Sequence, residues 1–190
     1  MSENRLFIAF TLIVALFLSN SPKAQSSKVD TKAPTFKVKS GEDEELSLEQ
    51  IKGKVIVVFY ETRDIVEKNR RLKDELKAFY DALPDTLKKY IVRLPVINCK
   101  GASWPFKGKW KKKLRENSKK EGITIYGDWT GKMFSDYKIK DKESNVIILD
   151  KQGIIKYFKA GKIEDEEIDK IKEILTELTI SAISAFREHK

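Results

Sequence analysis

The 190-residue sequence predicts an α/β domain: a central mixed sheet with parallel core strands, a β-hairpin towards the carboxyl end, and helices on both faces. Three observations predict it. Val55 to Tyr60 is an unbroken apolar and aromatic run, the pattern of a strand buried on both faces, as parallel strands are. A second apolar run, Ile91–Ile97, follows after a helix-length connection, which parallel strands require. Asn145–Leu149 and Ile154–Phe158 then flank Asp150-Lys151-Gln152-Gly153, with Asp opening a tight turn and Gly supplying its left-handed residue.

Residues 1–24 read as a secretory signal. Arg5 and the amino terminus make a positive start, and Leu6–Leu18 is apolar except for Thr11. A membrane span needs about 20 residues, whereas a signal core needs roughly 7–15. Cleavage is expected after Ala24, although Pro22 fits the recognition site poorly and a retained anchor is the alternative. No Cys follows the apolar run, so it is no lipoprotein signal. Residues 25–32 are polar and predict a flexible leader. The domain is expected to span residues 33–190.

Phe36 and Val38 alternate with polar residues, as on a half-buried edge strand. Gly41–Glu45 is acidic and turn-like. Ser47–Ile51 predicts one capped helical turn ended by Gly53. A polar elbow, Glu61-Thr62-Arg63-Asp64, closes the central strand; the carboxyl ends of such strands are where open α/β sheets place their chemistry. Ile65, Leu72, Leu76, Phe79 and Leu83 then fall at helical spacing, and Pro84 marks the end of that helix or a kink near it. Gly101–Glu121 predicts a basic segment with a helical second half, Ile123–Tyr126 a short strand and Trp129–Tyr137 a further helix. From Ile163 to Phe186 one apolar stripe predicts a long terminal helix, with acidic residues in its first turns where the helix dipole favours them.

Composition excludes more than it assigns. One cysteine, Cys99, permits no intramolecular disulfide and no thiolate metal cluster. The one histidine, His189, stands next to the last residue, so a His-based catalytic or metal site is excluded. The elbow carries no Cys, His, Ser nucleophile or Gly-rich loop, and no cofactor is expected. The formal charge is +9, with Lys and acidic residues interleaved, which predicts a solvated basic surface. No helix-turn-helix, zinc-knuckle or RRM-type signature points to nucleic acid.

The order strand–helix–strand–helix, hairpin, terminal helix resembles the thioredoxin superfamily, with an amino-terminal extension like those of peroxiredoxins and TlpA-type thiol oxidoreductases. Ala33-Pro34-Thr35-Phe36, Leu48–Val55 and Phe59-Tyr60 carry that resemblance, which covers about Ala33 to Leu178. Glu116–Lys120, Val146–Gly153 and Lys159-Ala160-Gly161 resemble the YtfJ-type family of small secreted bacterial proteins. On this resemblance Asp64 and Glu67 fall where the TlpA-type active site has its two cysteines. Arg63 falls at its Trp, and Ser144 at the cis-proline. The resemblance thus implies a thioredoxin-like domain of the periplasm whose redox site is lost.

A carboxylate cannot exchange disulfides. Asp64 and Glu67 instead have the spacing of a helix N-cap and its partner three residues on; paired carboxylates for acid–base or metal chemistry are the alternative. Cys99 is either a half-buried bystander or a lone redox thiol beside Lys100. Trp104, Lys107, Lys109, Trp110, Lys111, Lys112 and Lys113 interleave aromatics with cations. Either the aromatics dock on the sheet and the lysines are solvated, or the segment binds an anionic, partly apolar surface. The expected role is non-catalytic binding of an envelope protein. A single-cysteine oxidoreductase or peroxidase and a membrane-surface protein are the alternatives. Partner identity and oligomeric state have no signature in the sequence.

Overall fold

A computed structural model describes residues 28–188, with side chains through 184. The signal segment 1–24, the first residues of the leader and His189 lie outside the described residues. Seven strands form one mixed sheet: β1 (Lys37–Ser40), β2 (Glu45–Ser47), β3 (Val55–Glu61), β4 (Ile91–Asn98), β5 (Tyr126–Asp128), β6 (Asn145–Leu149) and β7 (Ile155–Ala160). Their spatial order is β2-β1-β5-β4-β3-β6-β7. β3 pairs parallel with β4, from Val55↔Ile91 to Glu61↔Ile97, and antiparallel with β6. β6 and β7 form the expected hairpin. Asp150 Oδ1 accepts from the amides of Gln152 and Ile154 at 2.9 Å each, and Gly153 takes φ 78° to close the turn.

The helices are α1 (Arg70–Ala82), α2 (Asp85–Lys88), α3 (Lys107–Glu121), α4 (Lys132–Asp136) and α5 (Asp165–Glu188). The two faces of β3 divide the core by the period of two. Val55 and Val57 pack with Leu72 and Leu76 of α1 and Ile168, Ile171 and Leu175 of α5. Ile56, Val58 and Tyr60 pack on the other side with Phe36, Val38 and, from α4, Met133. A third cluster, Cys99, Leu114 and Ile125, seats α3.

Four expectations change. β1 is not an edge strand, because the three-residue β2 pairs outside it. The alternation at Phe36 and Val38 reports one buried face, which an inner strand can also show. The strand expected at Ile123–Tyr126 begins at Tyr126. Gly122 ends α3 in the left-handed conformation, and the amides of Ile123 and Ile125 are taken by Ser118. A short helix, α2, follows Pro84. Finally, Lys28–Lys32 is paired alongside the start of β7: the Asp30 amide donates to Ile155 O at 2.7 Å, and the Ile155 amide to Thr31 O at 2.9 Å.

Candidate functional site: the elbow after the central strand

α1 starts late. Thr62 leads into a single 3₁₀ turn, Arg63–Ile65, and α1 begins at Arg70. The side chain of Asp64 is 85% exposed and pairs with Arg63 at 3.7 Å. Among the described residues it accepts from no helix amide, so it caps no helix. Glu67 instead grips Arg70, accepting from Nη2 at 2.7 Å and Nε at 2.8 Å, and Arg70 reaches on to Glu121 of α3 at 3.0 Å. The hydrogen bond from Arg70 holds the Glu67 carboxyl below its ordinary range. The capping expectation for Asp64 and Glu67 is therefore corrected. The residue at the N-cap is Asn69, and its amide serves a different segment. Nδ2 donates to Gly161 O and Oδ1 accepts from the Ile163 amide, both at 2.9 Å.

Ser144 is fully buried. Its Oγ donates at 2.6 Å to Glu61, a carboxylate at the end of β3 that is only 3% exposed. The other Glu61 oxygen accepts at 2.6 Å from Lys73 on α1, whose Nζ also donates to Val66 O at 2.6 Å. Burial pushes the Glu61 carboxyl up, against the pull of Lys73. Next to this cluster Lys68 pairs with Glu143. Three polar ties thus join the end of β3 and the elbow to the residues flanking the hairpin: Glu61–Ser144, Lys68–Glu143 and Asn69–Gly161. Of the four positions singled out in the sequence, Ser144 belongs to this buried network and Arg63 and Asp64 face outwards, apart from it. Glu67 is also outward-facing. Sequence reasoning missed Glu61, Lys73 and Asn69. The available signal was strand parity, since Glu61 continues Val57 and Phe59 onto the α1 face.

Cys99, after β4, is buried completely rather than by half. Burial, with a smaller contribution from the Asp128 charge, pushes its thiol up to about 12. Nucleophilic thiols need the opposite shift. Asp128 is equally buried and fully engaged: it accepts from Tyr60 Oη at 3.0 Å, the Gly131 amide at 2.9 Å and the Phe134 amide at 3.0 Å.

The basic aromatic segment divides. Trp110 is half-buried against the Cys99 cluster, with the Arg63 guanidinium over its ring at 5.6 Å. Trp104 and Phe106 are 89% and 62% exposed. Lys111 pairs with Asp43 at 2.5 Å and Lys113 with Glu116 at 2.8 Å, with Lys112 at 3.9 Å from the same carboxylate. Lys107 lies over the Trp129 ring at 5.5 Å, and Lys109 has no ion pair among the described residues. A cleft at the carboxyl ends of β3 and β4 is lined by Thr62, Arg63, Asp64, Asn98, Lys100 and Trp110. Behind it a groove of about 210 Å³ runs between α1 and α3, floored by Phe59, Pro95 and Ile97. Among the described residues no three His, Cys, Asp or Glu side chains come together as a metal site.

A family model described as "Bacterial protein of unknown function (YtfJ_HI0045)" matches residues 31–178. No curated protein matches the chain. Among solved structures, the chain is similar to the exposed lipoprotein thioredoxin of Streptococcus pneumoniae, at 17% identity and TM-score 0.55, covering 76% of this chain and 100% of that one. It is similar to the thioredoxin domain of a thiol-disulfide oxidoreductase from Bacteroides vulgatus, at 17% identity and TM-score 0.54, covering 77% and 97%. It is also similar to the 2-Cys peroxiredoxin of Plasmodium vivax, at 16% identity and TM-score 0.50, covering 85% and 99%. At these identities the likeness shows the fold, which is thioredoxin-like.

Proposed function

The chain belongs to the bacterial family of unknown function YtfJ_HI0045, and from that premise we propose that it is a non-catalytic, thioredoxin-like binding protein of the cell envelope. It engages a protein partner at the cleft where its relatives by fold carry out thiol chemistry. The observation that carries the reading is the make-up of that cleft. A guanidinium over an indole, Arg63 on Trp110, stands beside Lys100, and Asp64, at a position expected for a thiol, lines the same cleft. Cations and an aromatic wall recognise acidic or aromatic side chains of a partner. The sole sulfur nucleophile, Cys99, is sealed beneath the sheet edge, which supports binding over turnover. The envelope location rests on the sequence of residues 1–24. Among the described residues, no helix is long and apolar enough to cross a membrane.

In-cell photo-crosslinking tests the reading. A crosslinker at Thr62 should give a discrete adduct that Arg63→Glu abolishes, while one at exposed Lys170 on α5 should not. Equal labelling from both positions would remove the cleft as the binding site. Amino-terminal sequencing of the exported protein should begin near Gln25. Retention of Met1–Leu18 in the membrane fraction would replace a free envelope protein by an anchored one.

A further inference from the structure

The loop ahead of α3 carries a surface that the cleft reading leaves unused. Trp104 and Phe106 project from it at 89% and 62% exposure, while an isolated domain rarely leaves such side chains adjacent and uncovered. They are not on a loose tip. The Ala102 amide donates to Cys99 O at 2.9 Å, and the Phe106 and Lys107 amides to Ser103 O at 2.8 and 3.0 Å. Trp110 and Leu114, one helical turn apart, anchor the following helix in the core. The aromatics are thus held outwards by a fixed backbone.

The sequence around them carries one sign of charge. From Lys100 to Arg115 the sequence contains Lys100, Lys107, Lys109, Lys111, Lys112, Lys113 and Arg115 and no acidic residue. Several of these are already engaged: Lys111 with Asp43, Lys113 with Glu116 and Arg115 with Gly41 O. Lys107 and Lys109, in the first turn of α3, stand next to the aromatics without an ion pair among the described residues, and Lys112 is 70% exposed. Two outward aromatics close in sequence to exposed lysines, of which Lys112 keeps only a long 3.9 Å pair with Glu116 and Lys107 lies over the Trp129 ring, match the boundary between anionic headgroups and acyl chains, where Trp is favoured and lysines meet phosphate.

We infer that this surface docks the protein onto anionic phospholipid, with Trp104 and Phe106 entering the interface and Lys107, Lys109 and Lys112 on the headgroups. The inference does not depend on the cleft having a protein partner. Single-stranded nucleic acid could also meet the lysines and stack its bases on the two rings, but a chain whose residues 1–24 read as a secretory signal meets lipid before nucleic acid.

The test is co-sedimentation of the exported protein with vesicles of phosphatidylglycerol and phosphatidylcholine, against phosphatidylcholine alone. Binding should require the anionic lipid and fall steeply as salt rises from roughly 0.05 to 0.5 M. Replacing Lys107, Lys109 and Lys112 with Gln should weaken binding roughly a hundredfold, at about fivefold for each lysine near an anionic surface. Bound protein should show a blue-shifted emission, quenched by brominated lipid, that is lost in Trp104→Ala; the exposure of Trp104 makes that variant safe for folding. Vesicle binding that neither set of substitutions reduces would overturn the inference, because it would come from elsewhere in the chain, such as a retained Leu6–Leu18. So would failure to bind at low salt, or tight binding to a single-stranded oligonucleotide in its place.

Discussion

Glu61 and Lys73 form an ion pair at 2.6 Å between the last residue of β3 and the first turn of α1, with Glu61 almost wholly buried and the Lys73 side chain 20% exposed. Ser144 fills the second carboxylate oxygen. The pair sits under the elbow, so the position of α1 over the sheet depends on a charge that has been taken out of water. Breaking such a pair from one side is more damaging than removing both, because it strands the other charge.

Lys73→Met should therefore destabilise the protein by about 3–5 kcal/mol, and adding Glu61→Gln should recover most of that loss. Urea denaturation of both variants checks this; equal loss in the single and double variants would mean that packing, not charge, fixes Lys73.

The Glu61 carboxyl also sets a pH dependence. Because burial raises its folded-state value above the ordinary one, the folded protein holds this proton more tightly than the unfolded chain. Its contribution is then complete below the ordinary glutamate range and is lost as pH rises through the raised value. The stability of the wild type relative to Glu61→Gln should fall as pH rises above the ordinary glutamate range of about 4. Denaturation at a series of pH values measures it, and a difference that grows with pH would mean that Lys73 outweighs burial.

Asn69 and Asp64 should behave in opposite ways. Asn69→Ala removes both partners of buried backbone groups, Gly161 O and the Ile163 amide, and should cost about 1–3 kcal/mol. Asp64→Ala, at an exposed side chain with one long ion pair, should change stability by less than about 0.5 kcal/mol. Thermal unfolding distinguishes the two. A large loss at Asp64 would restore the capping role that its geometry denies.

Cys99 should resist thiol reagents in the folded protein and react at once on unfolding, since its sulfur is buried and its thiol is pushed up to about 12. Insulin reduction and peroxide consumption should stay at background and be unchanged by Cys99→Ser. Peroxide turnover with added dithiothreitol that vanishes in Cys99→Ser would promote the enzymatic alternative.

How much was legible depended on whether a residue's partner was near in sequence. Val55–Tyr60 announced a central strand because burial on both faces needs an unbroken apolar run, and Asp150 and Gly153 announced a hairpin because they form the turn between themselves. Leu72 and Leu76 marked the buried face of α1 by their spacing alone. β2 was hidden, since three residues beginning with Glu carry too little pattern and gain their pairing from β1. The start of α1 was misplaced because Asp64 and Glu67 have cap spacing, whereas Asn69 settles on residues more than 90 positions away. Glu61 closed the polar elbow by composition, and only Lys73 and the distant Ser144 make its burial possible. Within the basic segment the residue types were legible, but not that Trp110 turns in while Trp104 turns out.

The late start of α1 bears on whether thiols placed at the elbow could act as redox groups. Asp64→Cys and Glu67→Cys would set two cysteines on a 3₁₀ turn and the stretch after it, ahead of the helix. The amides and dipole that acidify a thiol at a helix amino terminus begin only past Asn69. That backbone is tied down by Asn69, Lys68 and Lys73, each bound to another segment. Two point changes would write the letters of a redox motif without its geometry. The obstacle lies in the main chain as well as the side chains, and a working thiol pair here would require the ties to Gly161, Glu143 and Glu61 to be undone first.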